Sequence, residues 1–449
     1  MSVELPVFPP GRRHSAGLVL VFGTTLAALL TAAPLVGKHG LGAQSPGDTL
    51  TLSLAEVQRL AALQNPVLVA VQQEAAIARG ARRQAGLLRS NPEFALQSTG
   101  YSGGRTGSPL ELTLLQEVEW AGQRGLRRDA GDHGVARAAG MVLDAGRLTL
   151  ADASAGFYRA IAAQGRLRVA RDALQLTGQL LAAVRTQVRE GEISTLEANL
   201  AEIEFGRSRG RALAAERAAV SAALQLKLIT GLSADTPLRL VDDTLIPGVL
   251  SPTLSEDSLV RTALARRPDL AATTAAVREA EALRRLARRE ALPNLRLGAV
   301  AERGSGGGGL RIGPAIGLSL PLFNRNQGVV DQRAALTEQA RLERLATEMR
   351  IRTDVADAMR AYRIATEETG VFAVSVLQPA RENSQLLETA FRAGKLALPT
   401  LLLLRNQLLD AELGYWDAWL AQHEAFIRLA AATGALSLPT ADPSDRNLP

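Results

Sequence analysis

The chain has no cysteine in 449 residues. That excludes a disulfide framework, thiolate metal sites, a cysteine nucleophile and an N-terminal lipid anchor carried on cysteine, and it fits passage through an oxidising compartment. Histidine is nearly as scarce, at four residues. His14 and His39 fall in an apolar leader, and His423 stands alone. Asp129, Asp132 and His133 have the composition of a metal cluster, but solvated side chains at the start of a long helix explain them better. No nucleophile is paired with a base, so the chain reads as a non-enzyme with no cofactor. Aromatic residues make up only 4%, too few for base stacking. The net charge of +6 is spread over helix faces (Arg82, Arg83, Arg127, Arg128, Arg284, Arg285, Arg288, Arg289), a pattern of solvated surface and not of a nucleic-acid interface.

Proline is absent between Pro109 and Pro237 although the chain has 20. Continuous helix requires such an absence, because proline lacks the amide hydrogen and clashes with the preceding turn. Leu167, Leu174, Leu181 and Val188 recur every seventh residue, with Ala170, Thr177 and Val184 as a second set, which is coiled-coil spacing. The stretch ends at Gly191.

The same punctuation recurs about 203 residues later. Gly125 and Gly328, Gly191 and Gly394, Trp120 and Phe323, and Gly231 and Gly434 are all separated by 203. The pairs Pro66/Pro268 and Pro92/Pro293 follow at 202 and 201. A half of roughly 190 residues has been duplicated, each copy reading as helix, two strands, a very long helix, a glycine turn and another long helix. Pro379 breaks the symmetry: it falls inside the second long helix and is expected to bend it.

Arg12 and Arg13, an apolar run from Ala16 to Val36, and small residues up to Ala43 read as a secretory signal peptide over 1–43. The first repeat is expected over 44–250, the second over 251–438, and a disordered tail over 439–449.

Four segments alternate with period two: Glu93 to Tyr101, Leu110 to Glu119, Asn294 to Glu302 and Leu310 to Leu320. In the second, Leu110, Leu112 and Leu114 alternate with Glu111, Thr113 and Leu115. In the third, Leu295, Leu297, Ala299 and Ala301 alternate with Arg296, Gly298, Val300 and Glu302. A strand of about 10 residues with one oily and one polar face is the unit of a transmembrane β-barrel. A soluble sandwich gives the same alternation, but an export signal and giant helices disfavour it. Four strands cannot close a barrel, so closure needs other copies of the chain. Gly304, Gly306 and Gly309 match G-x-G-x-x-G, but a strand and not a helix follows, so they read as a hairpin loop.

The ordered set of QNPVL from Gln64, RRPDL from Arg266, LSLPLFNRNQG from Leu318 and the turns REGEIS and RAGKLA resembles the TolC-like outer membrane efflux protein family over roughly Leu52 to Leu438. The stretch from Leu396 (LALPTLLLLRNQLLDAELGYWDA) is most similar to the heavy-metal, CzcC-like branch. The resemblance implies a mainly α chain with a small transmembrane β part, assembling as a homotrimer with a 12-stranded β-barrel on an α-helical barrel. It implies an outer membrane duct of a tripartite efflux system, reaching into the periplasm and exporting solutes that include heavy-metal cations. Its partners would be a periplasmic adaptor, an inner-membrane pump of RND type and outer membrane lipid, with no nucleic acid. Adaptor docking would fall on Arg189, Glu190, Gly191, Glu192, Ile193 and Ser194, and on Arg392, Ala393, Gly394, Lys395, Leu396 and Ala397. The periplasmic gate candidates are Glu197, Thr400, Leu403 and Arg405. The second repeat lacks the gate carboxylate at Thr400 and Leu403, which suggests closure by the apolar run Leu401 to Leu404. The alternatives are a periplasmic coiled-coil adaptor or scaffold, or the outer membrane component of a type I protein secretion system.

Overall fold

A computed structural model describes residues 49–98, 110–191, 193–241, 255–303, 309–393 and 395–436. The expected signal peptide, the tail, Glu192, Gly394 and most of both strand-joining loops lie outside these ranges.

A three-residue strand opens the first repeat and another lies near its end. β1 (Leu50–Leu52) and β4 (Leu238–Leu240) pair in parallel, a two-stranded sheet that period-two reading missed. The described residues therefore contain six strands, not four. Two short helices follow in each half: α1 (Leu54–Gln64) and α2 (Pro66–Ala85), then α5 (Glu256–Arg266) and α6 (Pro268–Arg289). Their starts are written locally. Ser53 and Glu56 form a reciprocal capping box at α1, and Asn65 Oδ1 accepts from the Leu68 amide just ahead of Pro66 at α2. In the second repeat Arg267 replaces Asn65. It caps nothing with its side chain and instead turns its buried guanidinium to Asp269 at 2.7 Å and Asp354 at 2.8 Å.

β2 (Glu93–Ser98) and β3 (Leu110–Val118) of the first repeat, and β5 (Leu295–Arg303) and β6 (Leu310–Leu318) of the second, form one antiparallel sheet in the order β2-β3-β5-β6. The long hairpins run from its far end. α3 (Gln123–Arg189) is unbroken over 67 residues, about 100 Å at 1.5 Å per residue. α4 (Thr195–Thr230) returns beside it. In the second repeat the long helix is divided: α7 (Gln327–Val371), a π-helical turn (Phe372–Leu377) and α8 (Gln378–Arg392), with α9 (Leu398–Ala432) returning. The wide turn immediately precedes Pro379. Widening relieves the clash of the proline ring with the carbonyl four residues back, so the helix continues where a regular one would break.

The duplication is visible as packing. Gly231 and Gly434 end α4 and α9 with φ of 71° each. A Cβ on Gly231 would meet the Gln64 carbonyl oxygen at 2.6 Å, and one on Gly434 the Arg266 Cβ at 3.2 Å, the equivalent residue ahead of each repeat's proline. Val57 and Ala61 are buried in one core with Phe157 and Leu226, and their counterparts Leu259 and Ala263 in another with Ile351 and Val355. Along the α3 heptads Ala170, Thr177, Leu181 and Val184 are buried, and Leu167, Leu174 and Val188 half-buried. Small residues let the helices approach closely: a Cβ on Gly140 would lie 2.9 Å from that of Ala272 in α6, and one on Gly165 only 2.4 Å from the Trp416 indole of α9. Among the described residues no helix is long and apolar enough to cross a bilayer.

Candidate channel surfaces

The register of the four-stranded sheet sorts its side chains without ambiguity. Phe94, Leu114, Ala299 and Pro314 stand in one cross-strand row, and Leu96, Leu112, Ala301 and Ile312 in the next row on the same face. Gln116, Leu297 and Ile316 continue that face, as do Val118, Leu295 and Leu318. The opposite face carries Ala95, Thr113, Val300 and Gly313 in one row and Gln97, Glu111, Glu302 and Arg311 in another. This is the division expected from the sequence.

Among the described residues nothing covers the oily face: Ile312 is 72% exposed and Ile316 76%. Soluble monomers rarely leave so large a contiguous apolar surface in water. β2 and β6 are edges, each paired on one side only. An edge facing hydrocarbon leaves backbone amides and carbonyls unsatisfied at several kcal/mol each, so a sheet of this kind must be completed by another chain. Because the strands alternate in direction, β2 and β6 run antiparallel, and β6 of one copy can continue into β2 of the next.

Where strand gives way to helix, polar groups lock the junction. Trp120 Nε1 donates to the Pro293 carbonyl at 2.8 Å, and Asn294 Nδ2 donates to Glu117 Oε1 at 2.6 Å. Arg127 binds the buried Glu119 carboxylate with both terminal nitrogens. Gly122 and Asn326, at equivalent places ahead of α3 and α7, both take positive φ, 80° and 62°. Phe323 is 91% exposed at this level. The carboxylates that read as solvated side chains are engaged by arginines: Asp129 pairs with Arg285 of α6 and Asp132 with Arg82 of α2, each at 2.7 Å. The Asp132 carboxyl is held below its ordinary range by the hydrogen bond from Arg82.

At the far end, the α3–α4 turn is built by Gly191, with φ of 79°, and by Ser194, which caps α4. Glu197 completes that cap: its Oε2 accepts from the Ser194 amide at 3.1 Å. The sequence Ser194-x-x-Glu197 is itself the signature of this box, a local signal that the reading of Glu197 as a gate residue passed over. Other carboxylates of this hairpin are engaged as well. Glu202 pairs with Arg185 at 3.2 Å, and Glu204 is buried near Arg211 at 3.4 Å. Arg211 in turn donates to Asn406 Oδ1 at 2.8 Å, tying α4 to α9. In the second turn, Lys395 is exposed and donates its amide to the Ala390 carbonyl. Leu398 is buried with Leu181, Val184 and Ala201, and Leu402 packs on that cluster. Leu401 is also buried, so of the run Leu401 to Leu404 the exposed member is Leu403, at 59%, while Leu404 is half-buried. Thr400 is exposed and Arg405 half-buried.

Residues 259–435 match the family model described as outer membrane efflux protein. The match lies within the second repeat and spans less than half of the chain. No curated protein sequence matches significantly. Among solved structures the chain is similar to CusC, with a TM-score of 0.71 and 18% identity over 85% of this chain and 92% of that one. It is similar to the CmeC outer membrane channel of Campylobacter jejuni, with a TM-score of 0.72 and 16% identity over 88% of each chain. It also resembles the open-state MtrE outer membrane channel of Neisseria gonorrhoeae, with a TM-score of 0.66 and 19% identity over 85% of this chain and 88% of that one. The fold is therefore that of these solved outer membrane channels.

Proposed function

We propose that this chain is an outer membrane efflux protein reaching into the periplasm and works as a homotrimeric passive duct, in which three four-stranded sheets close a 12-stranded barrel and the hairpins form one periplasmic tunnel. The observation that carries this reading is an open sheet with an uncovered oily face and two antiparallel edges, a surface that makes sense only when neighbouring copies complete it in lipid. Solute flow would be driven from outside the chain, by an inner-membrane pump of RND type coupled through a periplasmic adaptor at the turns around Gly191 and Gly394. Heavy-metal cations are the proposed cargo, on the similarity of the stretch from Leu396 to the CzcC-like branch. Native mass spectrometry in detergent tests the assembly: a trimer is expected, and a stable monomer or dimer as main species would overturn it. Deleting the gene and comparing sensitivity to cobalt, zinc and cadmium with that to lipophilic drugs tests the cargo; unchanged metal sensitivity refutes it. Gly394→Pro is expected to abolish pump-dependent export while leaving conductance in planar bilayers intact.

A further inference from the structure

The arginines that read in the sequence as spread over helix faces are gathered by the fold into one belt, directly beneath the sheet. The segments 79–92, 119–133, 284–292 and 320–333 hold thirteen arginines against five carboxylates, a net of +8, whereas the whole chain carries +6 and the remainder is thus net −2. Hydrogen bonds fix these segments at one level. Arg124 donates to the Gly86 carbonyl at 2.7 Å, Arg89 reaches Glu290 at 3.4 Å, and Asn326 donates to the Ala287 carbonyl at 2.8 Å.

Helix ends explain only half of this. Arg82 and Arg83 in the last turn of α2, and Arg288 and Arg289 in that of α6, suit the negative end of the helix dipole. Arg124, Arg127 and Arg128, however, occupy the opening turns of α3, whose first turn contains no acid, although that end of the dipole repels cations. Internal pairing does not explain the excess either. Five carboxylates cannot neutralise thirteen guanidinium groups, and Arg83, Arg124, Arg128, Arg288, Arg289 and Arg325 are exposed. Large apolar side chains border the belt: Leu87, Leu88, Trp120, Leu320, Leu322 and Phe323 are all exposed. Exposed aromatics and leucines above, with long cationic side chains below, is the layering of a membrane-water boundary.

We infer that this belt binds the phosphate headgroups of anionic phospholipids in the periplasmic leaflet of the outer membrane. Guanidinium forks match phosphate oxygens two by two. The belt lies where the strands of the sheet give way to the helices, and in three copies it would surround the channel with a ring of charge. The inference rests on that sheet being the membrane-spanning part.

The test uses the full-length protein in nanodiscs of phosphatidylglycerol or phosphatidylcholine, followed by native mass spectrometry of the lipid retained. The wild type is expected to retain phosphatidylglycerol preferentially. A variant with Arg83→Gln, Arg128→Gln, Arg288→Gln and Arg289→Gln should lose that preference by about fivefold per charge removed. A matched variant, with Arg209→Gln, Arg217→Gln, Arg350→Gln and Arg363→Gln on the lower helices, should keep it. Equal retention of both lipids by the wild type overturns the inference without any variant having to fold. So does a lipid preference unchanged in the belt variant while its ion selectivity in planar bilayers shifts, which would place these arginines on the lumen. Failure of the wild type to enter nanodiscs at all would instead refute the membrane reading of the sheet.

Discussion

Leu114→Arg and Thr113→Arg place the same side chain on adjacent residues of β3 and should have opposite consequences. Leu114 is the midpoint of the nine-residue strand and stands in the row of Phe94, Ala299 and Pro314 on the uncovered face. An arginine there faces hydrocarbon near the bilayer midplane, at about 2–4 kcal/mol per chain, or roughly 6–12 kcal/mol over three copies. Leu112 lies two residues away, about 7 Å along the strand and about 5 Å in depth at a tilt of ~45°. Leu112→Arg should therefore be damaging but less so, since the cost falls towards about 1 kcal/mol or less at the interface. Thr113 belongs to the row of Ala95, Val300 and Gly313 on the opposite face, where a Cβ on Gly313 would touch nothing within 4 Å; on the duct reading that face lines a water-filled lumen, which would solvate the charge. Folding into vesicles followed by urea titration gives the free energies, and heat-modifiable trimer in outer membrane fractions gives the cellular counterpart. The expected order of damage is Leu114→Arg, then Leu112→Arg, with Thr113→Arg near wild type. A Thr113→Arg protein that fails to assemble while Leu114→Arg succeeds would reverse the faces; equal damage at Leu112 and Leu114 would remove the bilayer from the explanation.

Three further expectations concern the helices. Gly165→Ala drives a methyl into the Trp416 indole, and because neither the ring nor α3 yields easily it should cost about 1–3 kcal/mol in denaturant unfolding, with much of the loss recovered in combination with Trp416→Leu. Burial opposes the charge on Asp269, but hydrogen bonds and charge from Arg267 outweigh it and hold the carboxyl below its ordinary value. The pair's contribution should thus be complete at neutral pH and decline as pH falls from about 4 through the lowered native value, so Asp269→Asn should flatten the acid limb of a stability-pH curve. Glu197→Lys removes a cap, at about 1 kcal/mol, and is also expected to raise single-channel current and antibiotic leakage by loosening the periplasmic end. Glu197→Gln can still accept from the Ser194 amide and serves as the control. Unchanged current in Glu197→Lys leaves this residue with the cap alone.

What the sequence determined by itself is whatever depends on local period and local backbone freedom. Alternation located all four strands of the large sheet and their oily face, because a pleated strand sends every second side chain to the same side wherever the strand is placed. Proline absence and heptads located α3, and Gly191 its end, because helix continuity and a left-handed turn are properties of a few consecutive residues. Pro379 marked the disturbed helix. Tertiary structure decided the rest. The pairing of β1 with β4 joins three-residue segments far apart in the chain, too short to show any period. A wide turn ahead of Pro379, where a bend was expected, depends on what the neighbouring helix admits: a Cβ on Gly414 of α9 would lie 2.7 Å from the Phe372 ring. Asp129 and Asp132 read as a solvated pair until α2 and α6 brought arginines to them, and Leu401, read as part of an apolar closing run, is buried by packing. In each case the deciding partner is distant in sequence, and only packing, in which a side chain meets whatever the fold sets opposite, could name it.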